Sequence, residues 1–181
     1  WLEEMLQLCQ QKDVGMVGAK LYYPDDTIQH AGVVVGLGGV AAHVLCKLPR
    51  DAEGYMGRLR CVQEISAVTA ACMMVKTSVF KAVGGFDEEL KVAFNDIDLC
   101  MKVRKYGVKI IFTPYAELYH YESKSRGMED TPEKQLRFSR EVNCFRRKWE
   151  RELLKGDPYY NPNLTLNNTD CSLRKQEKNG D

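Results

Sequence analysis

Nowhere in this sequence does an apolar run approach the roughly 20 residues that cross a bilayer. The longest, Ala67 to Val75, is interrupted by Thr69 and is far too short. A secretory leader is missing as well, because Trp1-Leu2-Glu3-Glu4 offers neither a basic start nor an apolar segment. There is no initiating Met, so the chain is expected to open in mid-protein. The seven cysteines form no Cys-x-x-Cys pair, which argues against a zinc ribbon. Several sit in apolar company, as Cys72 does beside Met73 and Met74, and read as small core residues in a reducing, cytoplasmic setting. Two glycosylation sequons, at Asn163 and Asn167, are then chance matches. Neither sign of charge is in surplus: 26 basic residues face 25 acidic ones, which disfavours a general nucleic-acid binder. No internal repeat is visible.

What remains is an ordinary globular composition, 44% apolar and 28% charged over 181 residues. That length suits one domain or half of a larger one. Leu2, Met5, Leu6 and Leu8-Cys9 recur at helical spacing, predicting a helix over 1–12. Met16 to Tyr22 reads as a buried strand, Pro24-Asp25-Asp26 as a turn, and Ile28 to Val35 as a second strand. Residues 40–60 read as a long surface loop. Val62 to Val75 reads as a strand whose small residues Thr69-Ala70-Ala71 allow close approach. Thr77 would cap a short helix through Val83, ended by Gly84-Gly85. A helix follows from Asn95 to Tyr106 with Gly107 as its stop, then a strand from Val108 to Thr113, halted by Pro114. Tyr115 to Tyr121 is extended, and Ser123 to Asp130 reads as a polar, mobile loop. Thr131-Pro132-Glu133 starts a helix carrying the stripe Phe138, Val142, Phe145, Trp149 and Leu153, and Gly156 stops it. Residues 157–181 read as an extended or disordered polar tail, leaving 1–156 as the structured part. Alternating strands and helices, with consecutive strands in the first half, predict an α/β chain with a mixed sheet flanked by helices.

Asp96 and Asp98 open the 95–106 helix. Two positions apart on a helix they diverge by about 200° and cannot serve one site. With Asn95 as N-cap, Asp98 reads as a capping-box acid, and Asp96 is free to project from the tip. The helix descends about 16 Å. The next strand climbs back about 20 Å, bringing His120 near the level of Asp96. Spacing alone leaves His120 open between a hydrogen-bonded surface group and a ligand, and Asp96 between a helix-dipole partner and a catalytic group. His30, on a strand, reads as a satisfied sheet histidine or a substrate contact. His43 has no companion residues and reads as surface.

Several segments, in order, resemble glycosyltransferase family 2 with its GT-A fold. Trp1-Leu2-Glu3-Glu4-Met5-Leu6 is similar to the helix that follows the metal-binding Asp-x-Asp segment. Val17-Gly18-Ala19-Lys20-Leu21-Tyr22-Tyr23-Pro24 and Gln29-His30-Ala31-Gly32 resemble the branch that makes bacterial cell-surface polysaccharides. Ala67 to Met74, with Gly84-Gly85-Phe86-Asp87-Glu88, resembles the acceptor-side segment. Asn95-Asp96-Ile97-Asp98 resembles the Glu-Asp helix start, and His120-Tyr121-Glu122-Ser123 the closing histidine motif. The resemblance implies a partial GT-A fold lacking the N-terminal nucleotide-binding half. It implies inverting transfer from a nucleotide-diphosphate sugar to a saccharide or lipid-linked saccharide acceptor, by a cytoplasmic parent enzyme with peripheral association at the inner membrane face as an option.

By the same resemblance Asp96 is the base and His120 a ligand of Mn²⁺ or Mg²⁺, held mostly by the missing half. Thr69, Ala70, Gly85, Asp87, Asn95, His30 and Arg126 would contact substrate, and Lys124 and Arg126 would close over phosphates. The Asp-x-Asp motif itself is absent, Asn95 stands where the family has Glu, and a chain without the nucleotide-binding half is expected to be inactive alone. Two other classes stay open. One is a non-catalytic carbohydrate-binding or interaction module using the Phe138–Leu153 stripe. The other, disfavoured because the two Asp side chains diverge, is a hydrolase with Asp96, Asp98 and His120 as metal ligands.

Overall fold

The structure, a computed structural model, describes residues 1–121 and 131–175. Its frame is a mixed five-stranded sheet. β1 (Val14–Tyr22) lies at the centre and pairs in parallel with β7 (Lys109–Tyr119). On its other edge β1 meets two antiparallel strands in succession, β6 (Met73–Val75) beside Met16–Gly18 and β2 (Ile28–His30) beside Leu21–Tyr22. β5 (Gln63–Glu64) closes the far side of β7. β1 is buried along its whole length, as a central strand covered on both faces must be.

Alternation along β1 divides the core. Val17, Ala19 and Leu21 face α1 (Leu2–Cys9) through Met5 and Cys9. Met16 and Tyr22 face the larger cluster containing Leu99, Cys100 and Val103 of α3 (Asn95–Lys105). α2 (Thr77–Ala82) begins after Lys76 rather than being capped by Thr77, and ends at Gly84 and Gly85, both with positive φ. Among the described residues no helix is long and apolar enough to cross a membrane.

Several sequence expectations are revised. The strand foreseen over 28–35 is two. Gly32, at φ 105, turns the chain out of the main sheet, and β3 (Val33–Val35) pairs instead with β4 (Ala41–His43), inside the stretch read as loop. The strand foreseen over 62–75 survives only at its ends, as β5 and β6, with an irregular crossing between. Pro114 does not halt β7. The register jumps from Ala19↔Thr113 to Lys20↔Glu117, so the proline sits in a bulge where its missing N–H costs no ladder bond.

The last helix is interrupted at Trp149, giving α4 (Pro132–Lys148) and α5 (Glu150–Lys155). Its stripe packs inward: Phe145 and Trp149 are buried, and Phe94 stacks between Phe138 at 5.8 Å and Phe145 at 5.3 Å. Residues 157–175 are not a loose tail. Tyr160, Leu164 and Cys171 are buried, Asp157 accepts from Val35 N at 2.8 Å, and Leu45 N donates to Thr169 O at 2.6 Å.

Candidate active site

The crossing from Ile65 to Cys72 passes over β1 where β1 is thinnest. A Cβ on Gly18 would lie 2.3 Å from Val68 Cγ1, so glycine is what lets the crossing come down on the strand. The chain then turns at Thr69–Ala71, with Ala71 N donating to Thr69 Oγ1 at 3.3 Å. Ala70 N points at the start of α3 and donates to Asp96 Oδ2 at 3.0 Å. The other oxygen, Oδ1, accepts from Ile97 N at 2.9 Å, and Asn95 Oδ1 accepts from Asp96 N at 2.7 Å. The Asp96 carboxylate is therefore half-buried and held by two backbone donors, with no cation bound to it among the described residues.

Asn95 is not the cap. Phe94 takes that position with a left-handed φ of 63°, a conformation that costs a non-glycine residue about 1–3 kcal/mol. Two things hold it there: its ring stack with Phe138 and Phe145, and Glu141. Glu141 is only 3% exposed, and its carboxylate accepts from three successive amides, Lys91 and Val92 at 3.1 Å and Ala93 at 2.9 Å. A helix that starts 36 positions downstream thus shapes the approach to Asp96. Nothing in the local sequence marks Glu141 for this role, since it lies on a helix rich in exposed charge.

Asp98 points the opposite way, as the divergence on the helix requires, and is not a capping acid. It is 0% exposed. Its Oδ1 accepts from Trp149 Nε1 and Lys148 Nζ, both at 2.8 Å, and Oδ2 faces Lys102 Nζ at 3.1 Å as an ion pair without hydrogen-bond alignment. Lys148 also binds Asp87, and Lys102 donates to Gly85 O at 2.6 Å. The hydrogen bond from Lys148, helped by Glu89 N–H, holds the Asp87 carboxyl below its usual range. Gly85 and Asp87 therefore belong to this ion network rather than to the group around Asp96.

His120 follows β7. Its N–H continues the ladder to Tyr22 O at 3.0 Å, and its Nδ1 lies 2.8 Å from Gln29 Oε1. The Gln29 amide in turn reaches His120 O at 3.5 Å. A carbonyl oxygen can only accept, so Nδ1 carries the proton and Nε2 keeps its lone pair. Histidines that ligate metals are often fixed by such a bond from the other ring nitrogen. Beside it, Tyr22 OH donates to Glu117 Oε1 and Arg50 to Glu117 Oε2, both at 2.6 Å, while Arg50 stacks on the Tyr22 ring at 4.6 Å. Burial works against ionisation of Glu117, but the Tyr22 and Arg50 bonds outweigh it and lower its pKa.

His30 is fully buried. Its Nε2 accepts from Thr69 N at 3.5 Å, and its Nδ1 lies 2.9 Å from His43 Nδ1, so His43 is half-buried and paired, not an isolated surface residue. Asp96, Ala70, Thr69, His30, Gln29 and His120 thus form one continuous belt of hydrogen bonds and adjacent residues across the end of the sheet. Lys124, Arg126 and the 123–130 loop lie outside the described residues. Among the described residues, no three His, Cys, Asp or Glu side chains converge to hold a metal ion. A hollow lined by Arg104, Trp149 and Tyr159 among others lies elsewhere, at the other end of α3.

No family model matches the chain. Over 174 residues, 96% of its length, it is 58% identical to the uncharacterized protein y4gI of Sinorhizobium fredii, of which it covers 19%. Along its full length it is 38% identical to the O-antigen biosynthesis protein RfbC of Myxococcus xanthus, covering 14% of that protein. A stretch of 62 residues, 34% of the chain, is 34% identical to an N-acetylglucosaminyl-diphospho-decaprenol L-rhamnosyltransferase of Mycobacterium tuberculosis and covers 20% of it. The chain spans less than a fifth of the length of the first two relatives.

Proposed function

We propose that this chain is the acceptor-side part of an inverting glycosyltransferase of family 2, acting in cell-surface polysaccharide synthesis. The names of two relatives, an O-antigen biosynthesis protein and a rhamnosyltransferase, support glycosyl transfer in that process. The mixed α/β sheet with flanking helices is compatible with a partial GT-A fold. The observation that carries the reading is the belt that joins Asp96 to His120 at the end of β1 and β7 where their carboxyl termini emerge. In open α/β sheets that end is where ligands bind.

Asp96 is the base in this reading. Two backbone N–H groups fix its carboxylate, and no lysine or arginine neutralises it among the described residues. It takes the proton from an acceptor hydroxyl as that oxygen attacks the anomeric carbon, and the nucleoside diphosphate departs from the opposite face. A bound Mn²⁺ or Mg²⁺ would offset the charge of the departing diphosphate. His120 fits as one ligand, because Gln29 holds its Nδ1–H and leaves Nε2 to coordinate. The remaining ligands would come from a nucleotide-binding half of the longer parent, which would act in the cytoplasm, with association at the inner membrane face as an option.

The test is made in the full-length parent. Asp96→Asn keeps the shape and removes the base; transfer should fall by about 10²–10⁴-fold while donor binding persists. Undiminished transfer would remove Asp96 from the role.

A further inference from the structure

The sequence offers His30 as a substrate contact, yet the side chain is 0% exposed and both ring nitrogens are engaged inside the protein. Its partners suggest a different use. Thr69 N–H can only donate, so His30 Nε2 accepts and carries no proton. A neutral ring then bears its proton on Nδ1 and donates it to His43 Nδ1, at 2.9 Å. The two rings meet edge to face, 4.9 Å apart and 80° to one another. The next residue after Thr69 is Ala70, whose N–H binds the Asp96 carboxylate.

We propose that His30 is a positioning residue: in its Nδ1-protonated form, set by His43, it anchors the Thr69 amide and so fixes the turn whose Ala70 amide aims Asp96. The functional weight of this rests on Asp96 being the base; the aiming of the carboxylate does not. Burial also keeps the imidazole neutral, as the accepting role of Nε2 demands. Among the described residues His43 is the side chain that meets Nδ1, so it is the partner that selects the tautomer.

Two replacements separate positioning from packing. A glutamine places its amide end where Nε2 lies and can still accept from Thr69 N–H. An asparagine reaches only as far as Nδ1 and cannot. In the ¹⁵N-labelled chain, His30 Nε2 should resonate as an unprotonated nitrogen and Nδ1 as a protonated one. His30→Asn should speed hydrogen exchange of the Thr69 and Ala70 amides by about tenfold, while His30→Gln retains protection. A role in packing alone predicts that both variants exchange alike. That outcome, or an Nε2-protonated ring in the unaltered chain, overturns the proposal. The tautomer measurement needs no variant, so it decides even where His30→Asn fails to fold.

In the full-length parent, His30→Asn should lower kcat by about ten- to a hundredfold with little change in KM, and His30→Gln should recover most of it. A rise in KM without loss of kcat would instead make His30 a substrate contact. Should the exchange results hold while Asp96→Asn leaves transfer intact, the assignment of the base fails and the aiming of the carboxylate stands.

Discussion

Burial, reinforced by the neighbouring His43, keeps the His30 imidazole well below its ordinary protonation range. The unfolded chain takes up that proton near pH 6.5 and the folded chain only at lower pH. Stability is therefore full above about pH 6.5 and falls, by up to about 1.4 kcal/mol per pH unit, as acid binds the unfolded state first. Urea unfolding at pH 7, 6 and 5 should show this slope, and His30→Gln should flatten it. Asp98 invites a second measurement. Its carboxylate lies between two ammonium groups and an indole N–H with no access to water. Asp98→Ala leaves Lys148 and Lys102 facing an empty site and should cost about 3–5 kcal/mol in urea denaturation.

Asp96 and Asp98 also show what the sequence could and could not reveal about single residues. Their divergence follows from helix geometry and is seen. Lys102 is a local i,i+4 partner of Asp98, but the other two, Lys148 and Trp149, lie 50 and 51 positions away, where no local pattern points. Gln29 stood in the quoted motif, but only the pairing of both β2 and β7 with β1 brings it to His120.

The elements were legible where one physical cue dominated. The apolar run of β1, the helical spacing of α1 and the Thr131-Pro132 start of α4 each match what formed, and Thr131 Oγ1 does accept from Lys134 N. They were misread where tertiary pairing decided. A bulge lets β7 run through Pro114, and Gly32 divides one apolar run between two sheets. The small residues 69–71 suggest room for another chain or a ligand, but the close approach that forms is Val68 on β1, and the space for it comes from Gly18 in the strand beneath. Gly18→Ala tests this. With Val68 side-chain atoms 2.3 and 2.6 Å from the added methyl, and a backbone that cannot easily retreat, it should cost about 1–3 kcal/mol. It should also perturb the Ala70 amide, whereas alanine at Gly57, strained only by its own positive φ of 73° and with nothing near the added methyl, should lower stability yet leave that amide unchanged.

At the scale of the whole chain, composition misled about the last residues. Their polarity suggested a free tail, yet Leu164 is 2% exposed and Tyr160 seals the same cluster, with its hydroxyl donating to Thr165 O at 3.0 Å. Burial and the adjoining Cys171 raise the Tyr160 hydroxyl to about 12, so it stays protonated and able to donate at neutral pH. Leu164→Ala should lower stability by about 2–5 kcal/mol, a loss that a loose tail would not show.

Glu141 supplies an acceptor to the three amides that lead into Phe94 and Asp96, and it lies 50 positions beyond the first of them, Lys91. During synthesis the central strands and α3 leave the ribosome well before this carboxylate does. A nascent chain exposed as far as Tyr119 but short of Pro132 would own its sheet but not the clasp on the turn before Asp96. The end of the molecule that holds Asp96 is thus completed late, and arrest at successive lengths should show protection of residues 91–93 arriving only once α4 has emerged.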